Sequence, residues 1–379
     1  MNNLDKQYID LVNEIIKNGV LKQDRTGTGT IALFGKQIRH KMSDGFPLLT
    51  TKKMYVKGVI TELIWFLRGD TNIKFLLEND CHIWDGDAYK NYRKVCGAYE
   101  EPDYDVHIDD PNENSIRLMT QIEFITRVKT DDDFAKKWGD LGPIYGKQWR
   151  AWGGYEKVPS SYEHGAVTHH DEVPLFDQIT KLINDIKNNP DSRRLIVSAW
   201  NVSEIDEAIL PPCHNFFQVF TRELNYTERL NLASKTDNGV IPIIPMYTTK
   251  EEMISWFDEI SIPSRAISLS YNARSQDLPL GTPFNLASYG LLLVILGKMV
   301  NMVPDELISN MGDCHIYLNQ IDSIKEQLDR TSYQLPTLKI NTTLNFTGTI
   351  DDFLASVNLN DFIFENYLSH PSIKIPLSN

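Results

Sequence analysis

Pro211-Pro212-Cys213-His214 is the stretch of this 379-residue chain whose residue types best suit covalent chemistry. Two prolines fix the backbone ahead of the thiol, and a strand starting just after it would hold the sulfur still, as a nucleophile requires. The competing reading is a small buried hydrophobe, which is the commoner state of a cysteine at a strand start. A thiol of ordinary pKa ~8.5 also needs a nearby cation to become thiolate at neutral pH. Arginines are the next residues to find.

Three arginine positions stand out: Arg25 in the loop Asp24-Arg25-Thr26-Gly27-Thr28-Gly29-Thr30, the pair Arg193-Arg194 after Pro190-Asp191-Ser192, and Arg274-Ser275 just beyond a strand. Each alone fits a surface charge. Together, beside Ser, Thr and Gly in an acidic protein, they suit a phosphate dianion, because the guanidinium fork pairs two oxygens while small residues let amides approach. No P-loop or dinucleotide fingerprint is present, since Gly27 and Gly29 are not followed by the helix-opening pattern. Glu62 sits among Val59, Trp65 and Phe66 at helical spacing, an apolar setting that should raise its pKa towards general acid or base work. The alternative is a carboxylate satisfied by a nearby cation. His315 and Tyr317 would point to one side of a strand and offer two polar tips to one ligand. Metal binding by Cys213-His214 or Cys314-His315 is disfavoured because adjacent side chains diverge.

The elements that must position these residues read as follows. Leu4, Tyr8, Leu11, Val12, Ile15 and Ile16 make an amphipathic helix that stops at Gly19. Residues 31–34 predict a short strand ended by Gly35, and 59–68 an apolar helix. Leu175, Ile179, Leu182, Ile183 and Ile186 share a helix face that Pro190 ends. Strands are predicted at 195–200, 215–220 and 267–271, with 225–264 an enlarged hairpin connection holding a short helix near 251–257. Residues 285–300 predict a buried central helix and 317–328 another. Residues 89–133 read as an acidic surface insertion with local helix around 115–128, and 160–172 as a second loose stretch. Strands scattered among helices without a regular βαβ alternation predict an α+β fold in one unit.

Composition is that of a globular chain, with 41% hydrophobic and 23% charged residues. A net charge of −13 repels polyanions and acidic bilayers, so neither DNA nor a membrane is expected as the main ligand. The longest apolar run, 291–296, falls far short of the ~20 residues that span a bilayer, and the first residues lack a signal-peptide layout; a cytoplasmic protein is expected. Cys81, Cys96, Cys213 and Cys314 make neither a disulfide framework nor a zinc ribbon.

Taken in order, these segments are more specific than any one alone. Asp24-Arg-Thr-Gly-Thr-Gly-Thr, Gly45-Phe-Pro-Leu-Leu-Thr-Thr-Lys-Lys, Gly139-Asp-Leu-Gly-Pro-Ile-Tyr-Gly-Lys-Gln-Trp-Arg, Ser192-Arg-Arg-Leu-Ile-Val-Ser-Ala-Trp-Asn, Pro211-Pro-Cys-His and Leu280-Gly-Thr-Pro-Phe-Asn-Leu-Ala-Ser-Tyr resemble the thymidylate synthase family. The likeness runs from the first helix to His370-Pro371, leaving out 225–264 and the last few residues. It implies one three-layer α+β domain over 1–379, with insertions at about 89–133 and 225–264, whose mixed sheet packs back to back in a homodimer. It also implies a methyltransferase: dUMP takes a one-carbon unit and a hydride from 5,10-methylenetetrahydrofolate, giving dTMP and dihydrofolate without a metal.

By the same resemblance, Cys213 adds to C6 of uracil. Arg25, Arg274 and Ser275 hold the phosphate, and Arg193 with Arg194 reach it from the partner subunit. Asn285 reads the base edge, while His315 and Tyr317 hold the sugar hydroxyl. Glu62 orders proton-transfer waters, Tyr145 assists loss of the C5 proton, and His214 and Asp277 line the site. Trp84, Asp277 and the carboxylate of Asn379 belong to the folate side. An amide at Asn285 matches uracil O4 and N3–H, whereas cytosine presents the reverse pattern and would suit a carboxyl group.

Two departures bear on water exclusion: a more polar ending, Ile373-Lys-Ile-Pro-Leu-Ser-Asn379, and Asp87 where many bacterial members place tryptophan. Water reaching the exocyclic methylene in place of hydride would make 5-hydroxymethyl-dUMP, so a dUMP hydroxymethylase is the alternative reading. A catalytically dead nucleotide-binding relative is opposed by intact Cys213, Glu62 and the arginines. A cysteine hydrolase leaves those arginines unexplained.

Overall fold

Six strands form the main sheet, and the last three of them carry candidate residues: β1 (Val20–Lys22), β2 (Thr30–Lys41), β3 (Ile196–Ser198), β4 (His214–Glu223), β5 (Arg265–Asp277) and β6 (Val303–Tyr317). The computed structural model describes residues 1–96, 118–153, 175–235, 249–341 and 344–378. The loose stretch at 160–172, much of the acidic insertion, the middle of 225–264 and Asn379 lie outside them.

The strand order is β1-β2-β6-β5-β4-β3. All neighbours are antiparallel except β5 and β6, so the sheet is mixed, within an α+β fold. A parallel pair cannot be joined by a tight turn, and here the crossover is the 19-residue helix Gly281–Met299. Its apolar residues run all round the helix and are mostly buried, so although it is long and apolar enough to cross a membrane, its surroundings are protein. Tyr289 of this helix stacks on Tyr271 of β5, ring centroids 4.2 Å apart. A separate two-stranded antiparallel sheet pairs β7 (Thr337–Ile340) with β8 (Phe362–Glu365).

The described residues group into two compact units: a sheet unit of Met1–Tyr55, Asp177–Ser198 and Cys213–Ser378, and a helical unit of Val56–Phe176 and Ala199–Pro212. In the sheet unit the first helix is Asn3–Asn18, capped by the Asn2 side chain on the Asp5 amide. Asp5 is fully buried, and its carboxylate is satisfied by the amides and hydroxyls of Thr50 and Thr51. In the helical unit, Val56–Leu67 is buried from Gly58 onward.

Several elements differ from the sequence reading. β2 does not stop at Gly35: that residue takes φ +75°, which glycine allows without strain, and the ladder to β6 continues to Lys41. Arg274 and Ser275 lie inside β5 rather than beyond it, because pairing with β6 extends the strand to Asp277. The helix expected from Leu175 starts at Gln178 behind an Asp177 cap, which leaves Leu175 outside and exposed. Tyr317 closes β6, and the next helix is Ile321–Leu328. Residues 225–264 join two antiparallel strands and include the helices Tyr226–Ala233 and Lys250–Glu259.

Candidate active site

Register alone gathers one group of candidates at one end of the sheet. The start of β4 lies beside the end of β5, since His214 pairs with Ala273 and the Cys213 carbonyl accepts from the Arg274 amide at 2.8 Å. The ends of β5 and β6 run together, Ser275 opposite Asp313 and Asp277 opposite His315. β2 begins there too, with Thr30 opposite Tyr317. The Gly/Thr loop that precedes β2 is therefore held at the same end, and the Leu318 amide donates to the Gly29 carbonyl at 3.0 Å.

That loop is built around Asp24, whose carboxylate accepts from the amides of Thr26 and Gly29 at 2.8 and 2.7 Å. Gly27 and Gly29 take φ +74° and +79°, conformations open to glycine. The turn leaves Arg25 exposed, as Arg274 is; Cys213 is half-buried. His315 and Tyr317 do share a face, their rings perpendicular and 5.1 Å apart. His315 Nδ1 lies 3.2 Å from Asp313 Oδ1.

Beneath this rim the groups are buried or half-buried. His214 is buried with Nδ1 2.7 Å from the Tyr289 hydroxyl, and burial pushes its pKa down to about 3, so the ring is neutral at ordinary pH. Burial likewise lifts the Asp277 carboxyl, against hydrogen bonds from the Gln320 side chain and the Leu280 amide. Asn285, in the first turns of Gly281–Met299, donates from Nδ2 to Gln276 Oε1 at 3.4 Å. The chain's end packs nearby: Gln320 Nε2 donates to the Pro376 carbonyl at 3.0 Å, and the Ser378 hydroxyl to Asn319 at 3.3 Å. Asn379 itself is outside the described residues.

Arg193 and Arg194 are not part of this cluster. The Val219 amide donates to the Leu195 carbonyl, so the arginine turn stands alongside Val219, six positions along β4 from Cys213. At about 3.3 Å per residue that is roughly 20 Å. Within one chain the two pairs of arginines are thus separated along β4.

The helical unit brings together the other three candidates. Trp84 Nε1 donates to Glu62 Oε1 at 2.8 Å, and the Trp84 and Tyr145 rings are 6.3 Å apart. Burial pushes the Glu62 carboxyl up to about 7, opposed by the Trp84 hydrogen bond. A group that is half protonated near neutrality can both give and take a proton. Asp87 is half-buried in the helix Asp85–Val95.

Sequence reasoning passed over Lys52, Gln276, Tyr289 and Gln320. Lys52 is buried, donates to the Pro279 carbonyl, and has its pKa lowered to about 8 by burial despite the Asp277 carboxylate. Its signal was the Lys-Lys ending of a quoted segment. Tyr289 closes the segment that starts at Leu280, whereas Gln276 carries no signal short of the three-dimensional contact. Cys81 and Cys314 are buried thiols pushed up to about 12; of the other two, Cys96 is exposed and Cys213 stands beside Arg274.

A family model described as thymidylate synthase matches residues 6–379. The thymidylate synthase of Mesoplasma florum is 39% identical over 97% of this chain and 98% of its own length. That of Malacoplasma penetrans is 38% identical over 97% and 98%, and that of Listeria innocua 37% over 98% and 99%. With near-complete coverage on both sides and Cys213, Arg274, His315 and Tyr317 meeting at one sheet end, the chain belongs to the thymidylate synthase family.

Proposed function

We propose that Cys213 carries the covalent step of the reaction this enzyme performs, the reductive methylation of dUMP to dTMP with 5,10-methylenetetrahydrofolate. The observation that carries the assignment is the thiol's position beside Arg274 at the sheet end that also holds His315 and Tyr317. Uracil C5 is a poor carbon nucleophile. Addition of the thiolate to C6 converts it into an enolate, and the bond to sulfur breaks again when the methylated ring leaves. The folate supplies the one-carbon unit and the hydride and departs as dihydrofolate. The residues present suit it: Asp277 offers a carboxylate to pterin N–H groups, and Trp84 a flat indole beside Glu62.

Arg25, Arg274 and Ser275 anchor the phosphate and give the positive field that favours thiolate. Asn285 reads O4 and N3–H of uracil, with its amide nitrogen also engaged by Gln276. His315 and Tyr317 take the sugar hydroxyl. Glu62 relays protons through ordered water, Tyr145 assists loss of the C5 proton, and neutral His214 accompanies Cys213 in lining the site. Trp84, Asp277 and the Asn379 carboxylate hold the folate.

The working form is a cytoplasmic homodimer in which the 1–379 chain, with surface insertions at about 89–133 and 225–264, packs its sheet in three layers against the sheet of its partner. Two features support this. One face of the sheet is covered by Gly281–Met299, while the other presents Ile196, Phe216 and Phe220 beside a polar row, Gln37–Asn310–Ser270, joined at 2.7 and 2.8 Å. On that face a cleft of about 440 Å³ lies against Arg274 and Asn215. Arg193 and Arg194, too distant to serve their own thiol, reach the partner's phosphate in this arrangement.

Incubation with dUMP and methylenetetrahydrofolate should yield dTMP and dihydrofolate in equal amounts, followed by dihydrofolate absorbance and nucleotide chromatography. Tetrahydrofolate with a hydroxymethylated nucleotide would overturn the reading.

A further inference from the structure

We propose that Arg265 and Thr221 are positioning residues for the substrate phosphate: they lock the turn that presents Arg193 and Arg194. The proposal rests on the reading that those two arginines grip phosphate.

The turn runs over residues 189–195, and its attachments are one-sided. Thr221, nearly buried on β4, donates its hydroxyl proton to the Pro190 carbonyl at 2.7 Å. With that proton committed, its oxygen can only accept, and Arg265 supplies Nε at 3.2 Å and Nη2 at 3.0 Å. The same Nη2 reaches the Asp191 carboxylate. Pro190 and Asp191, the two residues ahead of Ser192-Arg193-Arg194, are thus held from β4 and β5 by a single threonine oxygen and a single guanidinium. The remaining backbone is fixed as well. Gln218 Nε2 donates to the Arg193 carbonyl at 3.2 Å, and the Arg194 amide donates to Ser192 Oγ at 3.2 Å.

Burial separates the clamp from the groups it presents. The Arg265 side chain is 13% exposed, whereas Arg193 and Arg194 are open to solvent. An isolated surface ion pair contributes little. This guanidinium differs because it also satisfies a buried hydroxyl, so its removal leaves Thr221 short of donors and Pro190 with a looser partner. A turn already fixed before phosphate arrives loses less freedom on binding, which is the physical basis for an effect on substrate affinity. The clamp stands where the 225–264 connection meets the sheet: the Leu224 amide donates to the Ser264 carbonyl at 2.8 Å, and Arg265 follows at once.

The test uses the full-length enzyme. Arg265→Ala and Thr221→Val should raise KM for dUMP about fivefold through lost preorganisation, leaving kcat and the folate KM within about twofold. Thr221→Ser, which keeps the hydroxyl, should restore KM. Binding of deoxyuridine, which lacks the phosphate, should not change, and amides of 189–195 should exchange hydrogen faster in Arg265→Ala. In an Arg193→Ala/Arg194→Ala background, Arg265→Ala should add nothing. An unchanged dUMP KM in Arg265→Ala, where Arg193→Ala does raise it, overturns the clamp alone. An equal loss in kcat, folate KM and deoxyuridine binding also overturns it, as a general structural effect. Were Arg193→Ala/Arg194→Ala to leave the dUMP KM unchanged, the phosphate reading would fall and the clamp with it.

Discussion

The sheet end at Cys213 and the helical pair Glu62–Trp84 place their working groups in opposite environments. At the sheet end Arg25 and Arg274 are exposed and their backbones are fixed by ladder and turn hydrogen bonds. In the helical unit Glu62 is buried, held by one indole N–H, and shifted to about 7. A group that must grip a dianion stands open to it, with its position supplied by register. A group that must pass protons near neutrality needs the reverse, a dry site that weakens its charge. The comparison predicts that sheet-end changes act on binding and bond formation, and that changes at Glu62 act on the pH profile.

The largest effect is expected from Cys213→Ser, which should lower turnover by roughly 10⁴-fold or more because an unactivated hydroxyl cannot replace a thiolate. The thermal midpoint should hold, since the backbone bond from Arg274 to the Cys213 carbonyl remains. Glu62→Gln should reduce kcat on the order of 10²- to 10³-fold and remove the limb of the pH–rate profile near neutrality, measured by steady-state assay across pH. If the limb persisted in that variant, the contrast between the two environments would lose its chemical meaning.

Asn285→Asp should cost dUMP efficiency on the order of 10²-fold and let dCMP compete, as read by product chromatography with each nucleotide. Arg25→Ala is expected to do less, raising KM for dUMP about tenfold with kcat nearly kept and a weaker dependence on salt.

A further effect is on stability, and its sign differs between the two regions. Glu62 is raised from 4.5 to about 7, so the folded form holds a proton that the unfolded chain has released. That contribution is full below about pH 4.5 and is lost as pH rises to about 7, an amount of order 3 kcal/mol. His214 is lowered from 6.5 to about 3, so the unfolded chain takes up a proton that the buried ring refuses. Its contribution is present above about pH 6.5 and declines as pH falls. Denaturant unfolding of Glu62→Gln and wild type between pH 5 and 8 should show the first slope only in the wild type.

Much of the site was legible because its chemistry sits in short local strings. Asp24 to Thr30 reads as a loop from its glycines and threonines, and Glu62 reads as desolvated from its apolar neighbours along one helix. The ends of strands were not legible. Gly35 looked like a stop because local sequence carries no trace of the β6 ladder that continues past it, and Arg274 looked like a loop residue for the same reason. The separation of Arg193 and Arg194 from the other arginines follows from strand register, which no single segment encodes. Lys52 and Tyr289 act through partners distant in sequence, Pro279 and His214, and Gln276 through Asn285 on the next element, so these roles emerge only once β5 and Gly281–Met299 are in place.

Phe220 is 65% exposed and Ile196 46% among the described residues of one chain, on the sheet face turned away from Gly281–Met299. Such a row makes a solitary copy prone to clump. Heat inactivation should therefore quicken on dilution, and a charged residue at Phe220 should make activity fade as the enzyme is diluted, although no part of the catalytic apparatus has been altered.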